Sequence, residues 1–145
     1  MSVTPETSGR DESLHAPVPS GLVELAFPVA PDLFLLARLV VSSVASRSGF
    51  DIEEIEDLRL AIDELCLSVL GGRRGGRLVL HVEGTADQIE VWCHHDGADG
   101  PGADHEDTVG LSDRTLDALV DEHGQVTRGG RSGARMCKRR TPRDA

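Results

Sequence analysis

The stretch "DIEEIEDLRLAIDELCLSVL", residues 51–70, constrains the fold more than any other part of the chain. Ile52, Ile55, Leu58, Ile62, Leu65 and Val69 recur at helical spacing, which predicts a long helix with one apolar stripe. Asp51 stands at the N-cap and Glu54 three residues later, the pattern of a capping box. Such a helix cannot hide its stripe alone. It has to lie on a sheet or on other helices.

The flanking segments supply both. "GLVELAFPV" (21–29) sets Leu22, Glu24 and Ala26 against Val23, Leu25 and Phe27, a strand stopped by Pro28. Pro31 and Asp32 suit the first turn of a helix through "DLFLLARLVVSSVASRS", ended by Gly49. Being apolar on most of its circumference, that helix is expected to be well buried. "GGRRGG" (71–76) is a flexible basic turn. "RLVLHVEG" (77–84) and "DQIEVWCHH" (87–95) read as a hairpin through Thr85-Ala86-Asp87. In its second strand Ile89, Val91 and Cys93 share one face, and Gln88, Glu90 and Trp92 the other.

Residues 96–110, "DGADGPGADHEDTVG", have no apolar period and read as a long loop. "LSDRTLDALVDE" (111–122) follows as a short helix capped by Ser112, with Leu116, Leu119 and Val120 inward. "QVTR" and "ARMCKR" close the chain as a hairpin around Arg128 to Ser132. The expected fold is α/β: a two-layer sandwich with a mixed, mostly antiparallel sheet and helices on one face. One domain spans residues 21–140, after a disordered polar leader (1–20) and before a tail (141–145).

Composition excludes several classes of function. A formal net charge of −10 opposes polyanions, and the basic run Lys138-Arg139-Arg140 with Arg143 reads as solvation of a strand end. Trp92 is the lone tryptophan and tyrosine is absent, so base-stacking platforms are missing. Direct nucleic-acid binding is not expected. Cys66, Cys93 and Cys137 are far apart and odd in number, which points to reduced thiols in a cytoplasm. No stretch approaches the roughly 18 apolar residues of a membrane helix, and "MSVTPETSGRDES" has no apolar core of a secretory signal.

Three constellations could carry chemistry. Asp57, Ala61, Glu64 and Ser68 fall on one face of the long helix. The spacing leaves two readings: the wet side of a surface helix, or a carboxylate one turn before a hydroxyl, able to direct water near a metal ion. Asp96 ends a strand ahead of Gly97, Gly100 and Gly102, where a carboxylate could accept from an exocyclic amine; a plain solvent loop fits equally. His81, His94 and His95 with Cys93 lack zinc-ligand spacing, and neighbours on a strand point to opposite faces. No Ser or Cys has an evident partner histidine.

Strand, helix, "FDIEEIEDLRLAIDELC", hairpin, Asp-Gly loop, "LDALVDE" and a final basic strand together resemble the RsbW-type anti-sigma factors of the histidine-kinase-like ATPase superfamily. The likeness is nearest to their actinobacterial, anti-sigma-F-like branch. It implies that Glu64 is the catalytic glutamate and that Ser68 stands where the family has a magnesium-holding Asn. It implies nucleotide contacts at Asp96, which would recognise adenine, and at Ala98, Gly100, Gly110, Gly133 and Ala134. Ser68, Ala98 at a glycine position, the shortened lid at Gly110 and Ala134 in place of Thr are four departures in one site. Together they imply that binding of ATP and magnesium is weakened or lost.

The resemblance further implies sequestration of an alternative sigma factor, release by an anti-anti-sigma factor, and a homodimer. Two other readings stay open. One is an active Mg-ATP-dependent serine/threonine kinase acting on the anti-anti-sigma factor. The other is a nucleotide-free interaction module outside transcription.

Overall fold

A computed structural model of the protein describes residues 21–97 and 105–142, with residues 105–111 as backbone. The elements run β1 (Gly21–Pro28), a short 3-10 turn (Pro31–Leu33), α1 (Phe34–Arg47), α2 (Ile52–Leu70), β2 (Arg77–Gly84), β3 (Gln88–Asp96), α3 (His105–Leu119), β4 (Glu122–Arg128) and β5 (Arg131–Arg139). The five strands form one sheet in the order β1-β2-β3-β5-β4. Every adjacent pair runs antiparallel. The helices pack on one face, so the fold is an α/β two-layer sandwich, as the pattern of elements predicts.

The core lies between the layers. Leu78, Leu80 and Val82 of β2 and Ile89, Val91 and Cys93 of β3 meet Leu58, Ile62 and Leu65 of α2, all buried. The capping box forms in full: Asp51 Oδ1 accepts from Glu54 N at 2.8 Å, and Glu54 Oε1 accepts from Asp51 N at 3.0 Å. Glu54 has a second duty, since its Oε2 accepts from Thr141 N at 2.8 Å and clasps the C-terminal segment to the start of α2. Burial alone would raise the pKa of this carboxyl, but these backbone donors and the Lys138 charge outweigh it and hold it low.

Four expectations need correction. First, α1 is not buried all round. Its inner face is Phe34 with the period-four row Ala37, Val41 and Ala45, while Leu35, Leu36 and Leu39 are exposed. Small side chains let the helix sit close to the sheet, and the leucines face outward. Second, Ile52 leaves the core stripe and is 79% exposed, because the first helical residue points past the sheet. Third, the loop from 96 is shorter than it reads, since α3 begins at His105 and ends at Leu119. Ser112 is therefore not its cap but an interior residue, buried against α2. Fourth, the last hairpin is longer on both sides than the segments 125–128 and 134–139. Gly129 and Gly130, with φ of 57° and 78°, make its two-residue turn.

Free thiols at Cys66, Cys93 and Cys137 are all buried. The Cys66 thiol is pushed well up by its hydrogen bond with Cys93 and by burial. No described helix is long and apolar enough to cross a membrane.

Candidate functional site

The polar stripe of α2 is only partly wet: the Asp57 side chain is 44% exposed and Glu64 half-buried, whereas Ala61 and Ser68 are covered. It is the seam between α2 and α3, and the polar members of the stripe are spoken for. Asp57 Oδ2 lies 3.5 Å from Lys138 Nζ, and that ammonium also donates to the terminal carbonyl of α3, Leu119 O, at 2.6 Å. Lys138 is thus no tail charge. It reaches from β5 across the sandwich to close a helix C-terminus, where a cation is favoured.

Glu64 is half-buried, and its Oε2 accepts from Ser112 Oγ at 3.1 Å. One turn on, the Ser68 hydroxyl donates back to Leu65 O at 2.8 Å. A carboxylate and a hydroxyl do share one face at the spacing the sequence shows. The hydroxyl is directed into its own helix, and the carboxylate is held by a neighbouring one.

A small polar cavity opens beside Ser68. Ser68, Val69, Arg73, His95, Gln125, Ser132 and Gly133 line its volume of about 140 Å3. Small-molecule pockets start at roughly 300 Å3. No carboxylate is among these lining residues. Arg73 Nη1 donates to Val69 O at 2.6 Å, covering the last turn of α2, and the His95 ring is 2.6 Å from Gly75 O. Magnesium takes six oxygens in near-octahedral geometry, usually including one or two carboxylates. Among the described residues no group of three His, Cys, Asp or Glu could hold a metal ion. The described residues do not fit a magnesium site, and no chemical step is assigned to one.

The remaining expected site residues fall in different places. Asp96 is not in the cavity wall, where His95 stands instead. It shares strand parity with Trp92 and His94, and its carboxylate meets Arg77 Nη2 at 2.9 Å and Arg131 Nη1 at 3.5 Å. The Arg77 guanidinium, with Arg131 behind it, keeps that carboxyl below the usual range. Gly133 does line the cavity. A Cβ there would lie 2.3 Å from Cys93 O and 3.1 Å from both His94 Cβ and Trp92 Nε1, so close strand packing alone demands glycine. Ala134 is buried in the core. Gly110 falls within α3. Ala98 and Gly100 lie outside the described residues.

Residues that sequence reasoning missed are Arg73, Gln125, Ser132 and Lys138, each read as turn, strand or tail. Nothing in their local pattern marks them; only the β4–β5 hairpin and α2 brought together do. The outer sheet face is also less plain than its alternation suggests. The Trp92 ring lies tilted beside His94 (4.6 Å) and His81 (5.0 Å), with the Arg128 guanidinium 5.5 Å above the indole. Arg128, followed by Arg135, keeps the Glu90 carboxyl low despite some burial, and burial together with Arg131 lowers His94.

A sheet with helices on one face, an N-terminal strand at its edge and a glutamate-bearing helix against it is consistent with the histidine-kinase-like ATPase class. No family model matches the chain. Three curated proteins named serine-protein kinase RsbW are similar to it. That of Bacillus subtilis is 40% identical over 79 residues, covering 52% of this chain and 49% of the relative. That of Listeria innocua is 32% identical over 79 residues, covering 52% and 50%. That of Bacillus pumilus is 43% identical over 49 residues, covering 34% and 30%. The matches span about half the length of these relatives or less. Fold and similarity together support an RsbW-type protein.

Proposed function

We propose that this chain is an anti-sigma factor of the partner-switching kind: it binds an alternative sigma factor, holds it from RNA polymerase, and releases it to an anti-anti-sigma factor. The observation that carries the reading is the similarity to RsbW proteins at 32–40% identity over 79 residues in two species. An acidic chain suits such a partner, since opposite fields speed encounter and exclude wrong surfaces. Like RsbW-type relatives by resemblance, it acts in the cytoplasm as a homodimer.

In this reading nucleotide binding is weak or absent. The Ser68 hydroxyl bonded to Leu65 O, Glu64 engaged by Ser112, and a cavity of about 140 Å3 without carboxylates support it. Glu64, bonded by Ser112, would then serve to join α2 to α3. A second reading, an active serine kinase with Glu64 as general base, draws on the name of the similar proteins. Phosphorylation of the captured antagonist would favour it.

The test is capture. The tagged full chain is purified from its native cell after mild cross-linking, and bound proteins are identified by mass spectrometry. A sigma factor recovered with the chain, and released by a co-expressed antagonist, is the expected result. Recovery of proteins unconnected with RNA polymerase, with no sigma factor among them, contradicts the proposal and favours an interaction module outside transcription.

A further inference from the structure

The cavity beside Ser68 differs from the rest of the molecule in its charge. The chain holds 25 Asp and Glu against 15 Lys and Arg, yet no acid is among the residues that line it. The wall carries the Arg73 guanidinium instead, a group that stays charged at any working pH. Carboxylates that flank the wall along the chain are engaged elsewhere. Glu64, one turn before Ser68, accepts from Ser112. Asp96, next to His95, is held by Arg77 at 2.9 Å and Arg131 at 3.5 Å, and Glu122 pairs with Arg135 and Arg139. The segments that supply the wall, 68–77, 95–97, 124–126 and 131–133, carry Arg73, Arg74, Arg77 and Arg131 against Asp96 alone. In a chain of net charge −10, that is a local excess of positive charge.

The neutral groups of the wall agree with that charge. Gln125 lies opposite Ala134 and Ser132 opposite Thr127 in the β4–β5 hairpin, and both line the cavity. No other described residue bonds either side chain, so a carboxamide NH2 and a hydroxyl are donors at the wall. Arg73 is fixed by its bond to Val69 O at 2.6 Å, which sets its charge in place before anything binds. The His95 ring is pinned in the same way, since Gly75 O accepts from its Nε2 at 2.6 Å. Ser68 adds no donor, because its proton is given to Leu65 O. The volume of about 140 Å3 is under half of the roughly 300 Å3 at which small-molecule pockets begin. It suits an ion of a few heavy atoms and not a nucleoside.

We propose that this cavity binds one small inorganic oxoanion, of the phosphate or sulfate kind, between the Arg73 guanidinium and the donors of Gln125 and Ser132. A guanidinium with neutral donors beside it and no carboxylate is the set an oxoanion needs, and the reverse of what a divalent cation needs. The ion links the end of α2 to the β4–β5 hairpin, two elements far apart in sequence. Its binding therefore stabilises the folded chain by mass action. Arg73, Gln125 and Ser132 are none of the positions that the RsbW resemblance gives to the nucleotide. The proposal rests on the reading that the site no longer takes a nucleotide, and the experiment separates the failure of one from the failure of the other.

Backbone amide shifts of the full chain, followed by NMR at fixed pH and ionic strength, are titrated with sulfate, whose charge is constant near neutrality. Inorganic phosphate and AMP follow as separate arms. The expected result is saturable shifts at Arg73, Gln125, Ser132 and Gly133 with sulfate and with phosphate. Dissociation constants on the order of 1–10 mM are expected for one guanidinium and two neutral donors, and AMP should bind no tighter than phosphate. Gln125→Glu and, separately, Ser132→Asp set a negative charge in the wall and should each weaken sulfate about tenfold or more. Both residues are exposed, and circular dichroism verifies that each variant is folded. Gln88→Glu makes the same change of charge at the far end of β3 and should leave binding unchanged. Shifts that grow without saturating overturn the proposal, as does sulfate binding unaltered in both folded wall variants; either result leaves the nucleotide-free reading standing. AMP binding through the same amides at least about tenfold tighter than phosphate overturns both, since the cavity would then belong to a nucleotide site.

Discussion

Replacing Glu54 by Ala tests whether the start of α2 is the joint that the hydrogen bonds describe. The substitution removes two acceptors, Oε1 from Asp51 N at 3.0 Å and Oε2 from Thr141 N at 2.8 Å. It also removes a negative charge from the first turn of a helix. Loss of the cap bond costs about 1 kcal/mol. Loss of the Thr141 bond costs about 0.5–1 kcal/mol, since that exposed amide regains water. Loss of the charge near the helix N-terminus costs about 0.3–1 kcal/mol. The sum is about 2–3 kcal/mol. Glu54→Gln keeps one acceptor and should cost about 1 kcal/mol. Asp51→Ala removes the reciprocal bond and should also cost about 1 kcal/mol. The double variant should lose less than the sum of the singles by about 0.5–1 kcal/mol, because either change dissolves the same box. Urea unfolding followed by Trp92 fluorescence measures all four, the lone tryptophan being buried. An Ala variant within about 0.5 kcal/mol of wild type, or strict additivity of the two singles, would refute the reasoning.

Other consequences follow from the same geometry. Gly133→Ala should cost about 3 kcal/mol or more in urea unfolding, because its Cβ meets the carbonyl of Cys93 rather than a movable side chain. Lys138→Met, which keeps the apolar stem, should cost about 1–2 kcal/mol through the uncovered Leu119 carbonyl and the unpaired Asp57. Glu54, Glu90 and Asp96 titrate below their ordinary values when folded, and His94 below its own. Each binds fewer protons folded than unfolded between its two pKa values, so its contribution is full above the unfolded value and is lost as pH falls through the folded one. The urea midpoint should therefore drop first below about pH 6.5 and again below about pH 4, and Glu54→Gln should flatten the second drop.

Where backbone preference and burial agreed, the sequence was easily read. The alternation of β2 and β3 maps onto their inner faces, and the Asp51–Glu54 pattern is a local signal that forms locally. Periodicity tells which residues share a face, but not which face finds cover. That is why the leucines of α1 misled: the packing surface is the alanine row, and an all-round apolar helix gives no sign of it. The stripe at Asp57, Glu64 and Ser68 was legible as a shared face but not in its partners. Glu64 meets Ser112 of α3 and Asp57 meets Lys138, 48 and 81 residues away, and Ser68 bonds back to Leu65 of its own helix. The start of α3 was hidden because "HEDTVG" has no apolar period of its own. Of the candidate site, the Glu64–Ser68 spacing was legible, whereas the cavity walls at Gln125 and Ser132 depend on a hairpin whose placement only the whole sheet defines.

The proposal that an RsbW-type fold here holds its partner without a working nucleotide site is tested by calorimetric titration of the full chain with ATP, with and without magnesium, beside a Glu64→Ala variant. The account predicts no saturable heat at high ATP in either condition. Saturable, magnesium-dependent binding that disappears in Glu64→Ala would contradict it, and would make Ser68 a working ligand and the chain a kinase.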